Sequence, residues 1–212
     1  MDVTRLIAIR HGETAWNVDT RIQGQLDIPL NAVGEWQAAR TASVLAEEPL
    51  ATVYASDLAR AWRTAEIVAA PHHIGVTPEP GLRERGFGNF EGRTFAQIEV
   101  DVPDQALLWR KRDVHFAPAG GESLTLFRER ITGVVDTLAA RHAGQLIALV
   151  AHGGVLDVLY RAATRQDLKA PRTWQLGNCA INRLLWTSQG LTLVGWADDA
   201  HLQRSERDDA GA

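Results

Sequence analysis

Two short runs carry side chains able to do chemistry. Residues 8–17 read AIRHGETAWN and residues 146–154 read LIALVAHGG. In each, an apolar stretch stops at a histidine followed by glycine, and in the first an arginine precedes it. Histidine supplies a nitrogen nucleophile or a proton carrier at neutral pH. The planar fork of arginine suits oxyanions, phosphate above all. Glycines at 12, 153 and 154 let backbone approach a ligand closely. A third apolar stretch, ATVYAS at 51–56, runs into Ser56, Asp57 and Arg60. Gathered at one rim, Arg10, His11, Arg60 and His152 would make a cationic pocket whose natural guest is a phosphoryl group.

The elements that must position these groups follow from periodicity. Leu6–Ile9 is a continuous apolar run, as expected of a strand covered on both faces. Residues 30–48 read as a helix capped by Asn31, with an apolar stripe of Val33, Trp36, Ala39, Ala42 and Leu45. Residues 57–70 read as a helix capped by Asp57 and stopped by Pro71. Residues 74–80 give a short strand closed by prolines. Residues 121–142 give the clearest helix, capped by Ser123, with Leu124, Phe127, Ile131, Val134 or Val135, and Leu138 on one side. A strand at 145–150 is followed by a helix from Gly154. Residues 180–197 read as a hairpin turning at Ser188-Gln189-Gly190. Strands alternating with helices predict an α/β fold, three layers with a mostly parallel central sheet. Its ligand site falls at the carboxyl edge of the strands. Residues 86–121 are rich in Gly and Pro, with short helices near 95–100 and 104–112, and form a lid or insertion. The expected organisation is one domain over 1–197 and a disordered polar tail over 198–212.

Composition limits the function. The chain has 212 residues and a net charge of -4, which disfavours non-specific nucleic-acid binding. No run approaches the length of a membrane helix. Cys179 is the one cysteine, so neither an intrachain disulfide nor a Cys-rich zinc site is available. With no signal-peptide pattern in MDVTRLIAIR, a reducing cytoplasm is the expected location.

Six blocks then occur in order: RHGETAWN at 10–17, RIQG at 21–24, SDLARAWRTA at 56–65, LRERGFGNFEG at 82–92, GGES at 120–123 and AHGG at 151–154. Together they resemble the histidine phosphatase superfamily, also called phosphoglycerate mutase-like. The resemblance implies that His11 is the nucleophile, forming a phosphohistidine. It implies that Arg10, Arg60 and His152 clamp the phosphoryl oxygens, beside Gly153, and that Asn17 adds a hydrogen bond. Gln23 and Gly24 would line the rim. Glu84 would protonate the leaving oxygen and then activate water. This chemistry needs no metal and no cofactor. The expected partner is a small phosphorylated metabolite, with no nucleic acid and no membrane; a homodimer stays open.

Other polar residues are expected to do quieter work. Glu91 is read as structural, Glu122-Ser123 as a helix start, Arg21 as a pocket-wall pair, and Arg83 and Arg85 as surface or substrate contacts. His72 and His73 are read as surface residues, and His115 as part of the lid. Phe87, Phe90, Trp109 and Phe116 are read as the core of the insertion. Phosphomonoester hydrolysis is the first reading. A mutase, transferring phosphate between hydroxyls, is the alternative, but mutases of this family carry a longer insertion after the acid. A non-catalytic binding protein on the same fold would show decay at His11, Arg10, Arg60, Glu84 or His152, and none is changed. Because Glu84 must carry a proton to act as acid, activity is expected to be higher below neutral pH than above it. A profile still rising past about pH 8 would contradict that role.

Overall fold

In a computed structural model, residues 3–203 are described. Six strands form one sheet in the order β3-β2-β4-β1-β5-β6. These are β1 (Thr4–Arg10), β2 (Leu50–Ala55), β3 (Val76–Pro78), β4 (Leu146–Ala151), β5 (Ile181–Thr187) and β6 (Gly190–Asp198). The first four run parallel, β5 pairs antiparallel with β1, and β6 pairs antiparallel with β5. The expected α/β architecture is therefore present.

Successive strand residues face opposite sides of a sheet, and β1 and β4 fill a core on each side. Leu6 and Ala8 of β1, with Ile147 and Leu149 of β4, pack under α6 (Leu124–Ala140) and α7 (Gly153–Thr164). Ile7 and Ile9, with Ala148 and Val150, pack under α2 (Ala32–Leu45) and α3 (Ala59–Ala69). Central strands covered on both faces need the continuous apolar runs seen at 6–9 and 146–151. The short helix α1 (Ala15–Val18) follows β1, closed by a Thr14–Asn17 capping box.

Residues 86–121 build a small apolar cluster of their own. Phe90, Ile98 and Ala106 are buried in it, with Phe87, Phe95, Trp109 and Phe116 packed around them. Its two helices are α4 (Phe95–Asp101) and α5 (Pro103–Arg110). The ring of Trp109 stacks on Phe87 and on Phe90 at centroid distances of 5.2 and 5.3 Å.

Local signals held where a side chain caps its own helix. Asn31 and Ser123 each accept a backbone N–H three residues on. Asp57 does not cap α3. Its carboxylate binds both Nε and Nη2 of Arg83, and the helix start is met instead by Asp27, which accepts from Ala59 N at 2.6 Å. In α2 the buried face is Gly34, Ala38, Thr41, Ala42 and Leu45, while Val33 and Ala39 of the expected stripe point outward. The cause is a close approach. A β-carbon on Gly34 would lie 2.2 Å from the carbonyl oxygen of Glu13, and one on Gly12 would lie 2.4 Å from that of Gly34.

The expected tail also differs. Asp198 ends β6, and residues 200–202 form a 3₁₀ turn. There His201 is buried, its Nε2 3.0 Å from Thr41 Oγ1 and 3.1 Å from the Cys179 carbonyl. The rest of that segment, 204–212, lies outside the described residues. Among the described residues no helix is long and apolar enough to cross a membrane.

The contact between α2 and the loop after β1 is testable. Gly34→Ala should destabilise the protein by about 1–3 kcal/mol, through backbone overpacking. Gly133→Ala, in an open position on α6, should stabilise it by about 0.5–1 kcal/mol. Chemical denaturation of the two variants checks both signs.

Candidate active site

Strand pairing makes the site. Arg10 of β1 lies opposite Ala151 of β4, and His11 N donates to Ala151 O at 2.9 Å. The residues that follow, His11 and His152, therefore emerge side by side, with ring centroids 5.3 Å apart. Ser56, leaving β2 next to β4, places its hydroxyl 2.8 Å from His152 Nε2. Three loops thus leave one edge of the sheet together.

His11 is almost fully buried. Its Nδ1 lies 2.7 Å from the Gly12 carbonyl, which can only accept, so Nδ1 carries the ring hydrogen. Burial, then the charges of Arg10 and Arg60, push the imidazole well below its ordinary pKa. The ring is neutral, and Nε2 holds a free lone pair. The loop beneath it is pinned: Gly12 N donates to Thr64 Oγ1, and Asn178 Nδ2 donates to the His11 carbonyl. His152 is fully buried and likewise pushed well below its ordinary value, by burial first and then by Arg60, His11 and Arg10.

A cavity of about 150 Å³ opens in front of His11, walled also by Arg10, Asn17, Gln23, Arg60 and Glu84. Arg10 gives Nη1 to the Leu176 carbonyl at 2.6 Å. Arg60 gives its two Nη groups to the carbonyls of Leu26 and Gly24, each at 2.8 Å, and burial lowers its pKa to about 10. Four buried polar atoms around this point have no partner among the described residues: Arg10 Nε, Arg60 Nε, Gln23 Oε1 and His152 Nδ1. Orphans of this kind are rare in folded proteins, and four around one point mark a place of strain or function rather than of simple packing. Asn17 is anchored through Oδ1, which accepts from Thr14 N.

Glu84 sits where this cavity meets a larger one of about 580 Å³. Its two carboxylate oxygens accept from Arg85 N at 2.8 Å and Gly154 N at 2.9 Å. The second contact requires glycine, because a β-carbon at 154 would lie 2.2 Å from Glu84 Oε1.

Of the candidate residues, Arg10, His11, Asn17, Gln23, Gly24, Arg60 and Glu84 converge on the small cavity. His152 packs beside His11 without entering the cavity wall, and Gly153 lines an adjoining cleft with Arg10. Glu91 accepts from Gln25 N and Phe87 N and so shapes the rim. Arg21 borders the cavity and donates to Gly92 O. His115 is exposed, outside both cavities. Arg85 is buried rather than superficial, donating to the carbonyls of Glu122 and Phe116.

The model of the histidine phosphatase superfamily (branch 1) matches residues 6–199. The chain belongs to that superfamily. Among relatives, phosphoglycerate mutase-like protein 4 of Arabidopsis thaliana is 35% identical over 210 residues, covering 97% of this chain and 90% of its own. A metal-independent phosphoserine phosphatase of Arabidopsis thaliana is 35% identical over 209 residues, covering 95% and 84%. A mycobacterial glucosyl-3-phosphoglycerate phosphatase, solved as a complex with VO3, superposes with a TM-score of 0.81 at 33% identity, covering 92% of this chain and 99% of its own.

Sequence reasoning missed the bracing of this candidate site. Arg130 of α6 gives Nη1 to the carbonyls of Gly81 and Arg83, and Nη2 to that of Glu84 at 3.3 Å, while pairing with Glu122. It thereby holds the segment that presents Glu84. Nothing in an amphipathic helix marks one arginine among several for that work. Asn178 and Thr64 were missed for the same reason.

The buried neutral imidazoles set a pH dependence of stability. Unfolded histidines titrate near about pH 6.5. His11 and His152 bind protons less readily when folded, so below that pH the unfolded state holds more protons. Stability should therefore fall as pH drops from 6.5 toward 5, by roughly 1.4 kcal/mol per pH unit for each imidazole. Denaturant titrations across that range should show the loss, and a His11→Gln variant should show a shallower slope.

Proposed function

We propose that the protein is a metal-independent phosphomonoester hydrolase acting through a phosphohistidine on His11. The observation that carries this reading is the neutral His11 Nε2 at a small cavity ringed by arginine. Its superfamily membership, and relatives named as phosphoserine and glucosyl-3-phosphoglycerate phosphatases, agree with it.

In the first step Nε2 attacks phosphorus, the N–P bond forms and the P–O bond to the alcohol breaks. Glu84 gives its proton to the departing oxygen. Arg10 and Arg60, with Asn17 and Gln23, meet the negative charge spread over the phosphoryl oxygens, and losing one such donor costs about 3–4 kcal/mol of barrier. In the second step Glu84 takes a proton from water, whose oxygen attacks phosphorus. The N–P bond breaks, and phosphate leaves with His11 neutral again. Fixed guanidiniums suit this task because they need no reorganisation as charge develops.

The phosphoglycerate mutase-like relative keeps transfer to a second hydroxyl as the alternative. A cavity of about 580 Å³ beyond Glu84 favours hydrolysis, being too roomy to grip a three-carbon acid and exclude water.

Purified protein should release inorganic phosphate from 4-nitrophenyl phosphate, and His11→Ala should lower kcat by about 10³-fold or more. Conversion of 3-phosphoglycerate to 2-phosphoglycerate faster than phosphate release would favour the mutase instead. Gly154→Ala should lower kcat by about 10²-fold for alkyl phosphates. It should cost much less for 4-nitrophenyl phosphate, whose leaving group hardly needs an acid. Equal losses on both would contradict the role of Glu84.

A further inference from the structure

The peptide between His11 and Gly12 is held at both ends by side chains. Asn178 Nδ2 donates to the His11 carbonyl at 2.7 Å, and Gly12 N donates to Thr64 Oγ1 at 3.0 Å. The next peptide is held by Gln37 of α2, whose Oε1 accepts from Glu13 N at 2.9 Å. Asn178 and Gln37 are half-buried, so water can take their place. Gly12 and Thr64 are fully buried, so nothing replaces the bond between them.

The Thr64 hydroxyl has no freedom of direction. Gly12 N can only donate, and the Arg60 carbonyl, 2.8 Å away on its other side, can only accept. The hydroxyl hydrogen therefore goes to Arg60 O, the bond a helical threonine makes one turn back, and an oxygen lone pair faces Gly12. One hydroxyl thus fastens the loop of His11 to the turn of α3 that carries Arg60. Both side chains border the same small cavity.

We infer that Thr64 is a positioning residue that determines which nitrogen of His11 carries the ring hydrogen. The inference deepens the hydrolase reading above, and its consequence for turnover rests on that reading.

The need for such a clamp comes from Gly12. Its carbonyl accepts from His11 Nδ1 at 2.7 Å and so leaves Nε2 as the free nucleophile. In a neutral imidazole the bond made by one nitrogen decides the state of the other. Yet the residue presenting that carbonyl has no side chain to restrict its backbone. Nor can it gain one, since a β-carbon there would lie 2.4 Å from Gly34 O. The restraint must come from outside, and Thr64 supplies it from a rigid helix. Without the hydroxyl, the Gly12 N–H is a buried donor with no acceptor, and the peptide turns to find one. The carbonyl then leaves Nδ1, and the ring hydrogen is shared between the two nitrogens.

NMR of protein labelled with nitrogen-15 in its histidine rings reads the tautomer without any substrate. The His11 signals are assigned by their loss in His11→Gln. Wild type should show a protonated Nδ1 and a bare Nε2. Thr64→Val and Thr64→Ala, each checked for folding by its thermal melt, should show both nitrogens moved toward intermediate positions. On 4-nitrophenyl phosphate their kcat should fall by about 10- to 100-fold with KM within about threefold, as for a misplaced reacting group. Thr64→Ser keeps the hydroxyl and should keep the wild-type spectrum and kcat within about threefold. A wild-type ring with its hydrogen on Nε2 overturns the inference whether or not any variant folds. So does a wild-type spectrum in folded Thr64→Val or Thr64→Ala, even where kcat has dropped, since that loss would be structural. Thr64→Ser behaving like Thr64→Val overturns the role of the hydroxyl. Failure of wild type to turn over 4-nitrophenyl phosphate overturns the hydrolase reading, and the spectra still decide the tautomer.

Discussion

Everything at the active edge depends on the parallel pairing of β1 with β4. That register sets Arg10 against Ala151 and lets His11 N bond the Ala151 carbonyl. Two imidazoles 5.3 Å apart, both buried among guanidiniums, follow from it. Such a cluster is stable only if the imidazoles stay neutral, and the burial that makes them costly to protonate is the burial that keeps them neutral. The demand of the fold and the demand of a nitrogen nucleophile coincide. A one-residue slip would turn every side chain of β1 to the other face and separate the pair.

The remaining parts of the site hold cations and one acid in place. Arg60 ties α3 to the turn at Gly24–Leu26, so the helix and the rim move together. Arg130 binds the carbonyls on either side of Glu84, and Gly154 gives that carboxylate its seat on α7. These are backbone contacts, which persist regardless of the substrate. The insertion at 86–121 is built differently, from stacked aromatics with a cavity against them. On the proposed reading, phosphoryl chemistry falls at the sheet edge and the alcohol part in the cavity under the insertion.

How much was legible in the sequence depended on the range of the interaction. The alternation of strands and helices was readable because it is local and periodic. Caps such as Asn31 and Ser123 were readable because the side chain serves a backbone group three residues on. Asp57 misled because its competitor, Arg83, lies 26 residues away, and Asp27, 32 residues before Ala59, had already taken the helix end. The buried face of α2 misled because backbone proximity at Gly12 and Gly34, invisible in a hydropathy pattern, chose small residues over Val33 and Ala39. His201 drew an apparent tail onto Thr41 and Cys179. The candidate site residues were picked out mainly as motifs. Their supports, Arg130, Thr64 and Asn178, were not, since nothing local distinguishes them from solvated polar residues.

The central claim is that a covalent bond forms between phosphorus and one nitrogen of His11. Rapid quenching of the protein in alkali during turnover, followed by mass spectrometry of its peptides and phosphorus NMR, reads that bond directly, since phosphohistidine survives alkali and is lost in acid. The account predicts an acid-labile phosphoryl group on the peptide carrying His11, attached at Nε2 because Nδ1 is committed to the Gly12 carbonyl. Phosphate released at full rate with no adduct on that peptide, or an adduct on His152 in its place, would contradict it.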